Sequence, residues 1–165
     1  MLWGRADLCR SFFTPICCLM LTSTAPAFAW QDALTATLVF LIFSLLVSLL
    51  AEPRRQQAMA ILVAGASGVY FNGGLGAWEY AFAGVVLLVA YGGLRSYAWL
   101  GMGWLLHTGW DVLHHFYGTP IIALVPLSSA QCALCDALIA GWFFGGAPSV
   151  YGVAVRLWKR SVLQH

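Results

Sequence analysis

The stretch Trp104 to Tyr117, WLLHTGWDVLHHFY, carries His107, His114 and His115, three of the four histidines in the chain, together with Asp111, one of only six acidic residues. On a helix His107, Asp111 and His114 recur at i, i+4 and i+7, which stacks them along one face. His115 falls about 100° round from His114 and leaves that face. Imidazole nitrogens and carboxylate oxygens at this spacing can supply three ligands to a transition metal, zinc before others, with a fourth from a neighbouring helix. The candidate set is His107, Asp111, His114 and Asp136, with His115, Glu79, Cys132 and Cys135 as further donors. A carboxylate left outside the set would orient an imidazole. Two readings need no metal. In one, Asp111 and Asp136 accept hydrogen bonds from histidine or indole N–H groups; in the other, the groups relay protons or ions.

The elements that must position these residues are apolar helices. Hydrophobic residues make up 61% of the 165 and charged residues 8%, with a mean hydropathy of +0.82. Soluble domains carry roughly 25% charged residues, so lipid is the expected solvent for most of this surface. At about 20 residues per span the chain holds about five transmembrane helices and no soluble domain. The fold expected is all-α, a polytopic membrane helix bundle. Eight Lys and Arg against six Asp and Glu form no basic stripe with interleaved aromatics, which argues against nucleic acid as a partner.

Residues 1–29 have the form of a signal peptide or an uncleaved first helix: Arg5 and Arg10, an apolar stretch from Ser11 to Leu21, and Ala27-Phe28-Ala29 as a small-x-small cleavage site. Cys9, Cys17 and Cys18 fall within it. Residues 30–150 form the expected bundle, with spans at 33–51, 58–71, 77–94, 96–117 and 130–145. Arg54 and Arg55, Arg95, and the tail group Arg156, Lys159 and Arg160 all mark the cytoplasmic side by the positive-inside rule. Residues 151–165 are then a cytoplasmic basic tail, and the His/Asp cluster falls in the outer half of the bundle. Ala60, Ala64 and Gly68, and again Ala137, Gly141 and Gly145, form small-residue ridges suited to close helix packing. The second span, short and Gly-rich, is expected to be buried. Residues 72–76, NGGLG, read as a turn with glycines at positive φ. Residues 118–129, with two prolines, read as an outer loop, a re-entrant dip or a broken helix start.

Glu79, between Trp78 and Tyr80, is expected at headgroup level. The Cys132/Cys135 pair is open to passive packing, a disulfide or metal binding. Trp30, Trp78, Tyr80, Trp99, Tyr117 and Trp158 suit interfacial belts, whereas Trp104 and Trp110 lie deeper.

The motifs NGGLGAWE at 72–79, YGGLRSY at 91–97, WLLHTGWDVLHHFYGTPI at 104–121 and SSAQCALCDALIAGWFF at 128–144, in that order, resemble a family of small bacterial multi-pass membrane proteins known as domain of unknown function 6010. The likeness covers roughly residues 34–150. It implies a bacterial inner-membrane location and brings no activity or ligand. Membrane di-iron hydroxylases need about eight histidines and match poorly. Seven-helix zinc hydrolases of the alkaline-ceramidase and adiponectin-receptor type share the residue types, with Ser128 or Ser129 as the serine, but neither helix number nor spacing. The sequence is thus consistent with a membrane protein of undefined role with a polar, metal-binding or metal-free centre. It is also consistent with a zinc hydrolase acting on a lipid or amphiphile, or with a non-enzymatic bundle for a partner or a second copy of itself. A channel or transporter is weakly supported, since no internal repeat is visible.

Overall fold

The computed structural model describes residues 28–71 and 73–163. The expected targeting segment therefore lies outside the described residues up to Ala27, as do Asn72 and His165. Among the described residues there are six α-helices and no strand: α1 Trp30–Val47, α2 Arg54–Ala66, α3 Ala77–Gly93, α4 Tyr97–Tyr117, α5 Ser128–Phe144 and α6 Val150–Val162. A 3-10 turn, Ser67–Tyr70, continues α2. Five of these helices coincide with the expected spans, because apolar runs bounded by Pro, Gly and Arg leave little freedom in placing their ends. The sixth, α6, replaces a tail expected from its charges alone.

Local chemistry fixes the ends. Asp32 reaches back to accept from the Ala29 N–H at 2.8 Å, relieving one unpaired amide at the start of α1. Ser96 accepts from Ala98 N to start α4, and Ser149 accepts from Gly152 N to start α6. Gly74 and Gly76 have positive φ, as expected of the 72–76 turn. Residues 118–127 are irregular chain on the outside of the bundle, with Leu124 wholly exposed.

The central helix is α4. It packs on one side against α5, which in turn holds α1, and on the other against α3 and α2. The shared core runs through Val63, Val86, Leu100, Trp104, Ile139 and Phe143. Close approach of backbones comes from glycines other than those of the expected ridges. A side chain at Gly101 would meet the Phe144 ring at 2.9 Å and one at Gly103 would meet Val63 at 2.9 Å. Gly68, Gly141 and Gly145 are exposed, and nothing lies within 4 Å of a Cβ built on Gly68 or Gly141. Nor is the second span buried all round: Met59, Ala60 and Val63 face the core while Ile61 is 72% exposed.

At one end of the bundle Glu52, in the α1–α2 loop, accepts from Arg55 Nε at 2.7 Å and from the Tyr97 hydroxyl at the α3–α4 turn. Gln56 donates to Gly93 O. Ser48 accepts from Val150 N at 3.1 Å, which brings the start of α6 to this end too. The Arg54–Arg55 and Arg95 sites therefore lie at the same end as the start of α6. The opposite end is closed by Gln131 donating to Asp32 at 2.8 Å and by Thr119 N donating to Gly73 O at 2.7 Å.

The outer surface is unusually apolar, and a polar group is enclosed beside the apolar core. Glu79, His107, Asp111, His114, Ser128, Ser129 and Asp136 are buried, whereas Leu34, Leu38 and Leu46 on α1 and Leu87 and Leu88 on α3 are exposed. Among the described residues, α1 is the one helix long and apolar enough to cross a membrane by length and composition; α3 is apolar but shorter.

Candidate functional site

The face of α4 expected from the i, i+4, i+7 spacing is the buried one: His107, Asp111 and His114 are each at most 2% exposed. Each is tied to the scaffold by one atom. His107 Nδ1 bonds to Gly103 O at 2.9 Å and His114 Nδ1 to Thr119 O at 3.4 Å. A carbonyl oxygen only accepts, so both Nδ1 atoms carry the proton and both Nε2 atoms present a lone pair. Asp111 Oδ1 accepts from the Tyr70 hydroxyl at 2.7 Å.

Tyr70 is the member that charge and histidine spacing did not reveal. The 3-10 turn swings it into the cluster, where its ring lies 5.8 Å from that of His107 and 5.1 Å from that of His114. Phe82 and the two deep tryptophans complete the surround. Phe82 stacks on Trp110 at 4.4 Å, and Trp104 lies 5.6 Å from His107. On the α5 side, which packs along α4, Asp136 is buried at 8% exposure and Cys132 is half-buried.

Two glycines hold His114 in place. A Cβ on Gly118 would come within 2.6 Å of His114 Nδ1, and one on Gly73 would collide with His114 Cε1. The two loops that carry them are joined through Gly73 O, which accepts from both the amide and the hydroxyl of Thr119. The NGG and YGT motifs are thus the two sides of an imidazole cradle. Gly118 has a φ of −108°, open to any residue; glycine is required there for space, not for backbone conformation.

Five buried polar atoms find no partner among the described residues: Trp104 Nε1, His107 Nε2, Trp110 Nε1, Asp111 Oδ2 and His114 Nε2. Such atoms are few in most folded proteins and call for an explanation each. Here all five belong to α4, three of them acceptors on the His/Asp face.

The remaining candidates separate clearly. Glu79, expected at headgroup level, is instead 1% exposed. It accepts from Leu75 N at 2.9 Å, so it serves the glycine turn beside His114. His115 is half-buried against Phe116 and outside the cluster. Cys132 and Cys135 are free thiols. Ser128 and Ser129 are buried, with hydroxyls bonded to the backbone of Ile122 and Ile121. Among the described residues no three His, Cys, Asp or Glu side chains are arranged as a metal-ligand group. The set His107, Asp111, His114 and Asp136 is therefore buried without forming such a group, and the Tyr70 ring lies beside both imidazoles. Of the residues expected in interfacial belts, Trp30, Trp78, Tyr80, Trp99 and Trp158 are at least half exposed, whereas Tyr117 is half-buried.

Comparison with known families decides the affiliation. The model of a family of unknown function, DUF6010, matches residues 31–149, a span that contains every helix from α2 to α5 and all of the cluster. The chain belongs to this family. The DUF6010 match takes in the glycine cradle, Tyr70 and the His/Asp face together, and ends before α6. No protein of curated function and no solved structure matches the chain.

Proposed function

We propose that this DUF6010 chain is a polytopic protein of the bacterial inner membrane, C-terminus cytoplasmic, whose working part is a proton- or cation-binding centre in the outer half of the bundle. What supports the membrane reading is the pairing of a buried His/Asp cluster inside with leucine-rich faces outside. An acidic or basic group at mid-membrane costs roughly 2.5–3.5 kcal/mol on insertion scales, so a cluster of them at one depth needs a use.

The observation that carries the centre's chemistry is the set of inward lone pairs on His107 Nε2, His114 Nε2 and Asp111 Oδ2. With both Nδ1–H groups spent on backbone carbonyls, the cluster offers acceptors and asks for positive charge. A proton held between Asp111 and Asp136 meets that demand, and two adjacent buried carboxyls do not both stay ionised without one or a metal ion. Tyr70 then acts as a fixed donor that keeps Asp111 oriented.

A zinc-dependent hydrolase acting on a lipid or amphiphile is the second reading, favoured by the same Nε2 lone pairs. Such an enzyme would use His107, His114 and one aspartate as ligands and the second aspartate as general base. Elemental analysis of the detergent-purified protein separates the two. Near-stoichiometric metal, lost in His107→Ala, would establish the metal centre and displace the protonic one. Metal-free protein whose unfolding midpoint is indifferent to chelator would leave the protonic centre and remove the hydrolase.

A further inference from the structure

The helix α6 is built differently from the other five. None of its residues is buried, and residues 149–163 contain no acidic side chain. At 100° per residue Arg156, Lys159 and Arg160 share an arc of about 100°. Leu157, Trp158, Tyr151, Val155 and Val162 occupy the opposite side, each between 46% and 65% exposed. A helix of this length, polar on one face and apolar on the other, meets the bundle only near its start and along α1, and leaves its apolar side chains uncovered. Its one anchor is at the start, where Val150 N donates to Ser48 Oγ beside the Glu52–Arg55–Tyr97 junction. That is the end of the bundle where Arg54, Arg55 and Arg95 lie.

We propose that α6 lies on the cytoplasmic surface of the bilayer, apolar face in the acyl boundary, with Arg156, Lys159 and Arg160 binding anionic phospholipid headgroups. The inference rests on the membrane reading above. Its charge complementarity is one-sided: three cations and no anion suit a negatively charged leaflet. The apolar side, with Tyr151 and Trp158 as amphipathic anchors, suits an interface-parallel helix. The cations thus do more than set topology, since they give the chain an affinity for lipid of one charge class, on the order of fivefold per cation.

Hydrogen exchange on the full chain in lipid nanodiscs tests this. Discs of phosphatidylcholine alone are compared with discs containing phosphatidylglycerol. Amides of 153–162 should exchange at least tenfold more slowly in the anionic discs, and high salt or the triple variant R156Q/K159Q/R160Q should abolish the difference. Amides of Ala77–Gly93 serve as the internal control. If they are protected while α6 exchanges equally fast in both discs, or is equally protected in both, the headgroup site is overturned and the bundle stands. If the Ala77–Gly93 amides exchange freely in discs, the membrane reading itself fails.

Discussion

Replacing Tyr70 with Phe removes one oxygen and leaves the ring that packs against both imidazoles. The 2.7 Å bond it loses ends on a carboxyl with no exposure, whose other oxygen already lacks a partner among the described residues. Stranding a buried acceptor costs about 1–3 kcal/mol in water-soluble proteins. Within a membrane the corresponding bonds average about 0.6 and reach about 1.7 kcal/mol, because the unfolded chain in lipid also finds partners. Full burial and a carboxyl acceptor place Tyr70 at the upper end of the membrane range, so we expect a loss of about 1.5 kcal/mol, a little over tenfold in the folding equilibrium. The ring stays, so no cavity adds to this. Equilibrium unfolding in mixed micelles, followed by tryptophan fluorescence, measures it for Tyr70→Phe, Asp111→Asn and the pair. The double variant should show a coupling of about 1 kcal/mol. A Tyr70→Phe loss below about 0.5 kcal/mol, or coupling near zero, would mean that Asp111 has another donor and that the centre is not organised by Tyr70.

Further expectations follow from the cradle and from the junction at the other end. Gly118→Ala, with its Cβ 2.6 Å from His114 Nδ1, should cost about 1–3 kcal/mol in the same unfolding assay by overpacking. Gly141→Ala, exposed and with open space around its Cβ, should be neutral or stabilising by up to about 1 kcal/mol; equal losses at both sites would dismiss the cradle. Burial pushes the Glu52 carboxyl up, but hydrogen bonds from Tyr97 and Arg55 and the Arg55 charge outweigh it and hold the group below the usual glutamate value. A depressed carboxyl contributes stability that is fully present above its unfolded value and is lost as pH falls through the folded one. Unfolding midpoints should therefore drop on acidification through the glutamate range, and Glu52→Gln should flatten that part of the profile; an unchanged slope would show that the junction carries no pH dependence.

Much of this was legible in the sequence for simple reasons. Apolar runs ending at Pro53, Arg95 and Gly145 placed five helices, and the 3.6-residue period put His107, Asp111 and His114 on one buried face. What escaped was tertiary. Tyr70 counts as one more aromatic until the 3-10 turn aims it inward. Gly73 and Gly118 look like punctuation until an imidazole is found between them. Glu79 could not be read as buried because its partner is the backbone of its own turn. The small-residue ridges held only at Ala60 and Ala64, which pack in or against the core; Gly68, Gly141 and Gly145 face outward, because spacing identifies a smooth face without saying whether a helix lies on it. For α6, three cations were read as a topology mark, and the apolar positions between them were given no weight.

The hydrogen bonds at the ends of α1 bear on how the molecule is made. Gln131, which holds Asp32, comes 99 residues later, and Val150, which meets Ser48, comes 102 residues after its partner. The earliest helix among the described residues therefore has its main neighbour, α5, far behind it in the chain, and waits without it while three helices are added. It is also the helix whose length and composition best allow it to stand alone in lipid. Assembly would then bring α1 back against a helix made much later, and a chain cut short before Ser128 would leave α1 undocked.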